Sequence, residues 1–269
     1  MKLLKFTLIV LLLFPVVVVA QLKTGAERTE VYLPKLQNKR VAICGNQTSK
    51  IGNIHLIDTL FRLNINIVYI FAPEHGFRGD AEAGAHIQSD VDQKTGIPVV
   101  SLYGNTKKPT KEQMQNIDIL IFDIQDVGCR FYTYISTLHY IMEAAAENHV
   151  KVLILDRPNP NGYFVDGPVL EEKYKSFVGM HPIPVVHGMT IGEYGKMINE
   201  EKWLKDSLQC DLEIITMKGY DHKMRYSLPY PPSPNLKTDE SIYLYPTLCF
   251  FEGTAVSLGR GTAIPFQVF

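Results

Sequence analysis

The chain has 269 residues, with 27 Lys and Arg against 28 Asp and Glu, and a formal net charge of −1. Balanced charge without a basic block excludes the electrostatic footprint of a nucleic-acid binder or of a polybasic membrane patch. Four cysteines, Cys44, Cys129, Cys210 and Cys249, are scattered without the close pairing of a zinc site. No obligatory disulfide is expected from their spacing.

Residues 1–20 read as a cleavable signal peptide. Lys2 and Lys5 form a positive start, Leu11 to Val19 belong to an apolar run, and Val18-Val19-Ala20 supplies small residues before Gln21. The apolar stretch Phe6 to Ala20 is short of the ~20 residues that a membrane-spanning helix needs. No stable membrane anchor is therefore expected, and export to the periplasm or beyond is. The chain from Gln21 onward is long enough for one large or two modest domains.

From Arg40 onward strands and helices alternate. Val41 to Cys44, Ile65 to Phe71, Pro98 to Tyr103, Ile117 to Ile124 and Val150 to Leu155 are apolar and rich in β-branched residues. Between them, Ile54 to Leu63 and Phe131 to Asn148 carry apolar residues at helical spacing. Near-continuous apolar strands alternating with helices imply an α/β, Rossmann-like domain with a parallel sheet covered on both faces. Its expected extent is 21–175. A smaller α+β domain is expected over 176–269. There Thr190-Ile191-Gly192-Glu193 has the form of a capping box that opens a helix through Trp203. Asp211 to Met217 reads as a strand, and Leu228 to Asn235 is too proline-rich for a helix or central strand.

Each predicted strand ends in polar residues. The first runs into Asn46, the second into Glu74, His75 and Arg78, and the fourth into Asp123 and Asp126 with Arg130 and Tyr132 beyond. The fifth runs into Asp156, Arg157 and Asn159. Parallel strands put their carboxyl ends along one rim, where ligands bind in open α/β sheets. Glycine-rich dinucleotide turns, phosphate-binding loops and the Gly-x-Ser-x-Gly elbow are all missing from the chain. His75, Asp80, Glu82 and His86 carry metal-binding atoms but lack the two-histidine helix signature of zinc proteases. No metal or cofactor is expected.

An acid-rich, arginine-rich and aromatic rim suits hydrolysis of a glycosidic bond. That reaction uses one carboxylic acid for the leaving oxygen and usually a second carboxylate as base or nucleophile. Glu74 is the expected acid, because it leaves an apolar strand into a glycine-containing turn. Glu82, Asp123, Asp126 and Glu252 are candidates for the second group, with His75 beside them. An arginine in such a site points to an anionic group on the substrate.

The motifs then match a known family. Pro73-Glu74-His75-Gly76-Phe77-Arg78-Gly79, Phe122-Asp123-Ile124-Gln125-Asp126-Val127-Gly128 with Arg130-Phe131-Tyr132-Thr133-Tyr134, and Leu155-Asp156-Arg157-Pro158-Asn159-Pro160 are three blocks. His187-Gly188-Met189-Thr190, Pro232-Ser233-Pro234-Asn235, Phe251-Glu252-Gly253-Thr254 and Gly259-Arg260-Gly261-Thr262 come after them in order. In this arrangement the chain resembles the bacterial exo-β-N-acetylmuramidases of the NamZ type. The resemblance implies a Rossmann-like domain, a smaller C-terminal domain and an interdomain cleft. It also implies release of N-acetylmuramic acid from the non-reducing end of peptidoglycan-derived oligosaccharides or muropeptides, with Glu74 as the catalytic glutamate.

Asn46, Arg78, Arg130, Tyr132, Arg157, Asn159, Glu252 and Arg260 are the expected substrate-binding residues. Members of that family continue well past the Gly-Arg-Gly-Thr block, so the second domain is expected to be incomplete. Two other readings fit the same residues. One is a sugar- or peptidoglycan-binding module without activity; the other is a metal-dependent hydrolase using His75, Asp80 and His86. A chelator separates the last from the first.

Overall fold

The computed structural model describes residues 21–74, 76–78, 90–104 and 106–269. The expected signal peptide, His75, Asp80, Glu82 and His86 lie outside the described residues. Helix α1 (Thr29–Leu36) precedes strand β1 (Val41–Gly45). A two-stranded hairpin, β2 (Lys50–Ile51) with β3 (Ile54–His55), leads into α2 (Leu56–Arg62). The start of the predicted 54–63 helix is therefore spent on a strand. His55 caps α2 instead, its Nδ1 accepting the Ile57 N–H at 3.3 Å.

Strands β4 (Ile67–Ala72), β5 (Asp90–Val91) and β6 (Pro98–Ser101) come next, then α3 (Lys111–Met114) and β7 (Ile119–Asp123). Helix α4 (Tyr134–Glu147), β8 (Lys151–Leu155), α5 (Ile191–Glu200), β9 (Leu212–Ile215) and α6 (Asp239–Leu248) complete the order. The Thr190 and Glu193 capping box of α5 is present in both directions, at 3.2 and 2.8 Å.

The main sheet runs β5-β6-β4-β1-β7-β8-β9. All neighbouring pairs are parallel except the edge strand β5, which is antiparallel to β6. Side chains alternate between two cores, as a period of two requires. Ala42, Cys44, Leu120 and Phe122 join one cluster with Leu138 of α4 and Ile198 of α5. Val41, Ile43, Ile119 and Ile121 join the other with Leu36 of α1 and Leu60 of α2. This is the expected α/β, Rossmann-like architecture, with both faces covered.

The sheet runs across the boundary expected near 175. β9 pairs with β8 in register, Val152 opposite Leu212 and Leu155 opposite Ile215. An unpaired β8 edge would expose a row of N–H and C=O groups, and β9 satisfies them. The region after it is helical rather than α+β: α6, a 3-10 turn over Cys249–Gly253 and irregular chain to Phe269. Cys44, Cys129 and Cys210 are buried, and all four cysteines are unpaired thiols. Among the described residues no helix is long and apolar enough to cross a membrane.

Candidate active site

From β1 the chain moves outward through β4 to β6, then returns to the other side of β1 at β7 and continues to β8 and β9. The connections leave β1 in opposite directions there, which opens a crevice at the strands' carboxyl ends. Glu74 follows β4, Tyr103 follows β6, and Tyr132 to Tyr134 lead from β7 into α4. The proline-rich segment and the chain after α6 close over them. Together they enclose a cleft of about 250 Å³ lined by Glu74, Tyr103, Tyr132, Asn235, Glu252 and Arg260 among others. That is slightly under the roughly 300–1,000 Å³ of pockets for drug-sized ligands, a size for one sugar-like group rather than a chain.

Glu74 is held at the lip by hydroxyls. Thr133 Oγ1 donates to its Oε2 at 3.4 Å, and the Tyr134 phenol donates to its backbone carbonyl at 3.4 Å. The Tyr103 phenol stands against the same carboxyl group; burial, then the neighbouring carboxylate, raises its pKa. Tyr132 is buried, its ring edge-on to Tyr134 at 4.8 Å, and its phenol donates to the Pro232 carbonyl at 2.7 Å. That bond, with Gln47 Nε2 donating to the same carbonyl at 3.0 Å, pins the proline-rich segment as a cleft wall. Also in the cleft lining, Glu252 and Arg260 form an ion pair. Cys249 Sγ lies 3.3 Å from Glu252 Oε2.

The other expected site residues lie below or beside the cleft and are engaged with the chain itself. Asp123 is fully buried and meets Arg157 through two parallel bonds, Nε to Oδ1 at 2.6 Å and Nη2 to Oδ2 at 2.9 Å. Burial raises the Asp123 carboxyl against the opposing pull of that guanidinium. Arg157 Nη2 also donates to the Lys50 carbonyl at 3.2 Å, tying β7 and β8 to the hairpin. Asp126 accepts from the Gly128 N–H at 2.7 Å and faces His187 Nε2 at 3.5 Å.

Arg130 Nη1 donates to the carbonyls of Pro168, at 2.8 Å, and of Ile183, clamping the connection that leads to α5. Arg78 bridges Asp92, at 2.8 and 2.9 Å, and Asp58, at 3.3 Å. Asn46 is buried and spends its Oδ1 on the Thr48 N–H and hydroxyl, at 2.9 and 2.6 Å. Asn159 donates to the Met189 carbonyl and accepts the Asn161 N–H, both at 2.8 Å.

These residues lie at or beyond the carboxyl ends of the strands, and their described partners are within the chain. Buried polar groups are mostly paired, and most of the pairing here is internal, although Asp126 Oδ1 and Arg130 Nε are buried without a hydrogen-bond partner among the described residues. Asp156 shows the same logic at α5: its carboxylate accepts the Gly192 N–H at 2.8 Å and the Thr190 hydroxyl at 3.0 Å.

Sequence reasoning passed over Tyr103, Phe177, Ser233 and Asn235 of the cleft lining. Ser233 and Asn235 sit inside a motif that could have suggested them; nothing local marks Phe177. A second depression of about 270 Å³ lies beside Tyr163, Arg225 and Tyr226. There Arg225 stacks on Tyr163 at 4.4 Å and Ser227 bonds Asp239, and neither Glu74 nor Glu252 takes part. Among the described residues no group of three or more His, Cys, Asp or Glu could hold a metal ion.

Comparison with known proteins gives the chain's relatives. The chain is 47% identical to the peptidoglycan beta-N-acetylmuramidase NamZ of Bacillus subtilis (strain 168), over 88% of this chain and 58% of that protein. It therefore spans somewhat over half the length of that curated relative. Crystal structures of two DUF1343 family proteins from Bacteroides fragilis NCTC 9343 superpose on it. One is 54% identical with a TM-score of 0.85, covering 92% of this chain and 66% of that one. The other is 42% identical with a TM-score of 0.84, covering 91% and 64%. The family model for the N-terminal part of exo-beta-N-acetylmuramidase NamZ matches residues 41–240, and the model for its C-terminal part matches 243–269. With the N-terminal match spanning most of the chain, this protein belongs to the exo-beta-N-acetylmuramidase NamZ family.

Proposed function

We propose that the chain is a glycoside hydrolase that removes N-acetylmuramic acid from the non-reducing end of peptidoglycan fragments, with Glu74 as acid catalyst. The observation that carries this reading is the company Glu74 keeps. It shares one small cleft with a second carboxylate, Glu252, while Asp123 is locked to Arg157 and Asp126 is turned to Gly128 and His187. Glycosidic cleavage asks for two carboxyl groups flanking the bond, and Glu74 and Glu252 are the acids among the described cleft residues. Glu74 delivers a proton to the departing oxygen; Glu252 serves the opposite side, as base or nucleophile. Tyr103 and Thr133 orient the Glu74 carboxyl group. The cleft's size suits an enzyme that takes one terminal sugar. The leader-like composition of residues 1–20 supports action outside the cytoplasm.

The test is release of chromophore from an aryl β-N-acetylmuraminide. Glu74→Gln, with an unchanged melting temperature, is expected to lose about 10²–10⁴-fold in turnover, as removal of an acid catalyst should. Near-normal turnover in the folded variant, or none in the wild type, overturns the reading.

A further inference from the structure

Resting on the cleft assignment above, we infer that Arg260 is the anchor for a carboxylate carried by the sugar itself, the ether-linked lactate of N-acetylmuramic acid. Arg260 thereby sets the preference for muramic over glucosamine sugars. Four arginines are candidates for that group. Arg157 is fork-bonded to buried Asp123, and Arg78 is shared between Asp92 and Asp58. Arg130, whose Nη1 donates to two main-chain carbonyls and whose buried Nε has no partner among the described residues, is not part of the cleft lining.

Arg260 lines the cleft with its side chain half exposed. Its Nη2 is paired with Glu252, and its remaining N–H groups have no partner among the described residues. A planar guanidinium with one edge tied and another open is prepared to take a carboxylate through two parallel bonds.

Its placement is built rather than incidental. Arg260 stands on a short loop whose two ends, Leu258 and Phe266, are buried and joined by the Phe266 N–H donating to the Leu258 carbonyl at 2.8 Å. Inside the loop Thr262 bonds back to the Gly259 carbonyl through its N–H at 3.0 Å and its hydroxyl at 2.6 Å. The guanidinium lies 5.5 Å from the Phe266 ring. Holding the fork in place before binding lowers the ordering cost on contact. Muramic and glucosamine sugars differ only in the lactyl ether, so the residue that meets its carboxylate sets the preference between them.

Titration calorimetry with N-acetylmuramic acid, its methyl ester and N-acetylglucosamine tests this on the full chain. The wild type is expected to prefer the free acid over both neutral sugars. Arg260→Met is expected to reduce the ratio of the two affinities, acid over glucosamine sugar, by roughly 10–100-fold, the range of a charge-assisted pair. Arg260→Lys, which keeps the charge without the fork, falls between. Equal wild-type affinity for acid and ester overturns the inference without any variant, and so does an unchanged ratio in Arg260→Met. The hydrolase reading stands or falls separately. Arg260-dependent binding without chromophore release sinks the hydrolysis alone. Equal cleavage of muraminide and glucosaminide, unaltered in ratio by Arg260→Met, sinks the anchor alone.

Discussion

Arg157→Met removes the partner of a carboxylate that no water reaches. Asp123 has 0% of its surface exposed and Arg157 7%, and two bonds of 2.6 and 2.9 Å join them. Taking away one member of such a pair leaves a buried charge without compensation, at a cost of about 3–5 kcal/mol. For a chain of this size each kcal/mol corresponds to about 2–4 °C, so the melting temperature should fall by about 6–20 °C.

The double variant Asp123→Leu/Arg157→Met removes both charges and should recover most of that loss. Acidification should also narrow the deficit of the single variant, because a lone buried carboxyl group escapes its penalty by taking up a proton. Thermal and urea unfolding followed by circular dichroism measure all three. A loss in Arg157→Met below about 1 kcal/mol, or a double variant no better than the single one, would refute the assignment of this pair as an internal brace.

The buried imidazoles give a pH prediction. Burial, then His139 and Lys175, depresses His181 to about 3; its Nδ1 pairs with the Tyr194 phenol at 2.9 Å and its Nε2 with His139 Nδ1 at 2.9 Å. The unfolded chain takes up the His181 proton near its ordinary value while the folded chain does not, so stability falls as pH drops from about 6.5 toward 3. The expected slope is about 1.4 kcal/mol per pH unit for that proton. Urea midpoints from pH 7 to 5 should fall less steeply in His181→Gln, and parallel slopes would contradict it. Gly128→Ala should destabilise by about 2 kcal/mol or more, since φ is +75° and an added Cβ would sit 2.4 Å from Asn159 Oδ1. A melting temperature within a degree of wild type would count against that packing. Tyr103→Phe should lower turnover of the muraminide several-fold with little change in melting temperature, through looser placement of Glu74. Unchanged turnover would remove Tyr103 from that role.

Continuous apolar runs marked the inner strands β1, β4, β7 and β8, because a run such as Val41 to Cys44 has no stable place except between two covered faces. The two-residue strands β2, β3 and β5 carry no such mark. The α5 capping box and the delivery of Glu74 at a strand's carboxyl end were legible for the same local reason. Local pattern did not reveal that Leu212–Ile215 fills the free edge of β8, since strand order is set by pairing between segments distant along the chain. Nor could it separate Arg157, Arg130 and Arg78 from Arg260. All four are arginines in glycine- or proline-flanked motifs, and only the folded chain shows that Arg260 lines the cleft, half exposed and paired through one nitrogen to Glu252, while the others are turned to partners away from it. Composition selects which residues converge on the rim. Burial and internal pairing, which depend on distances in space, select which of them remain free to meet a ligand.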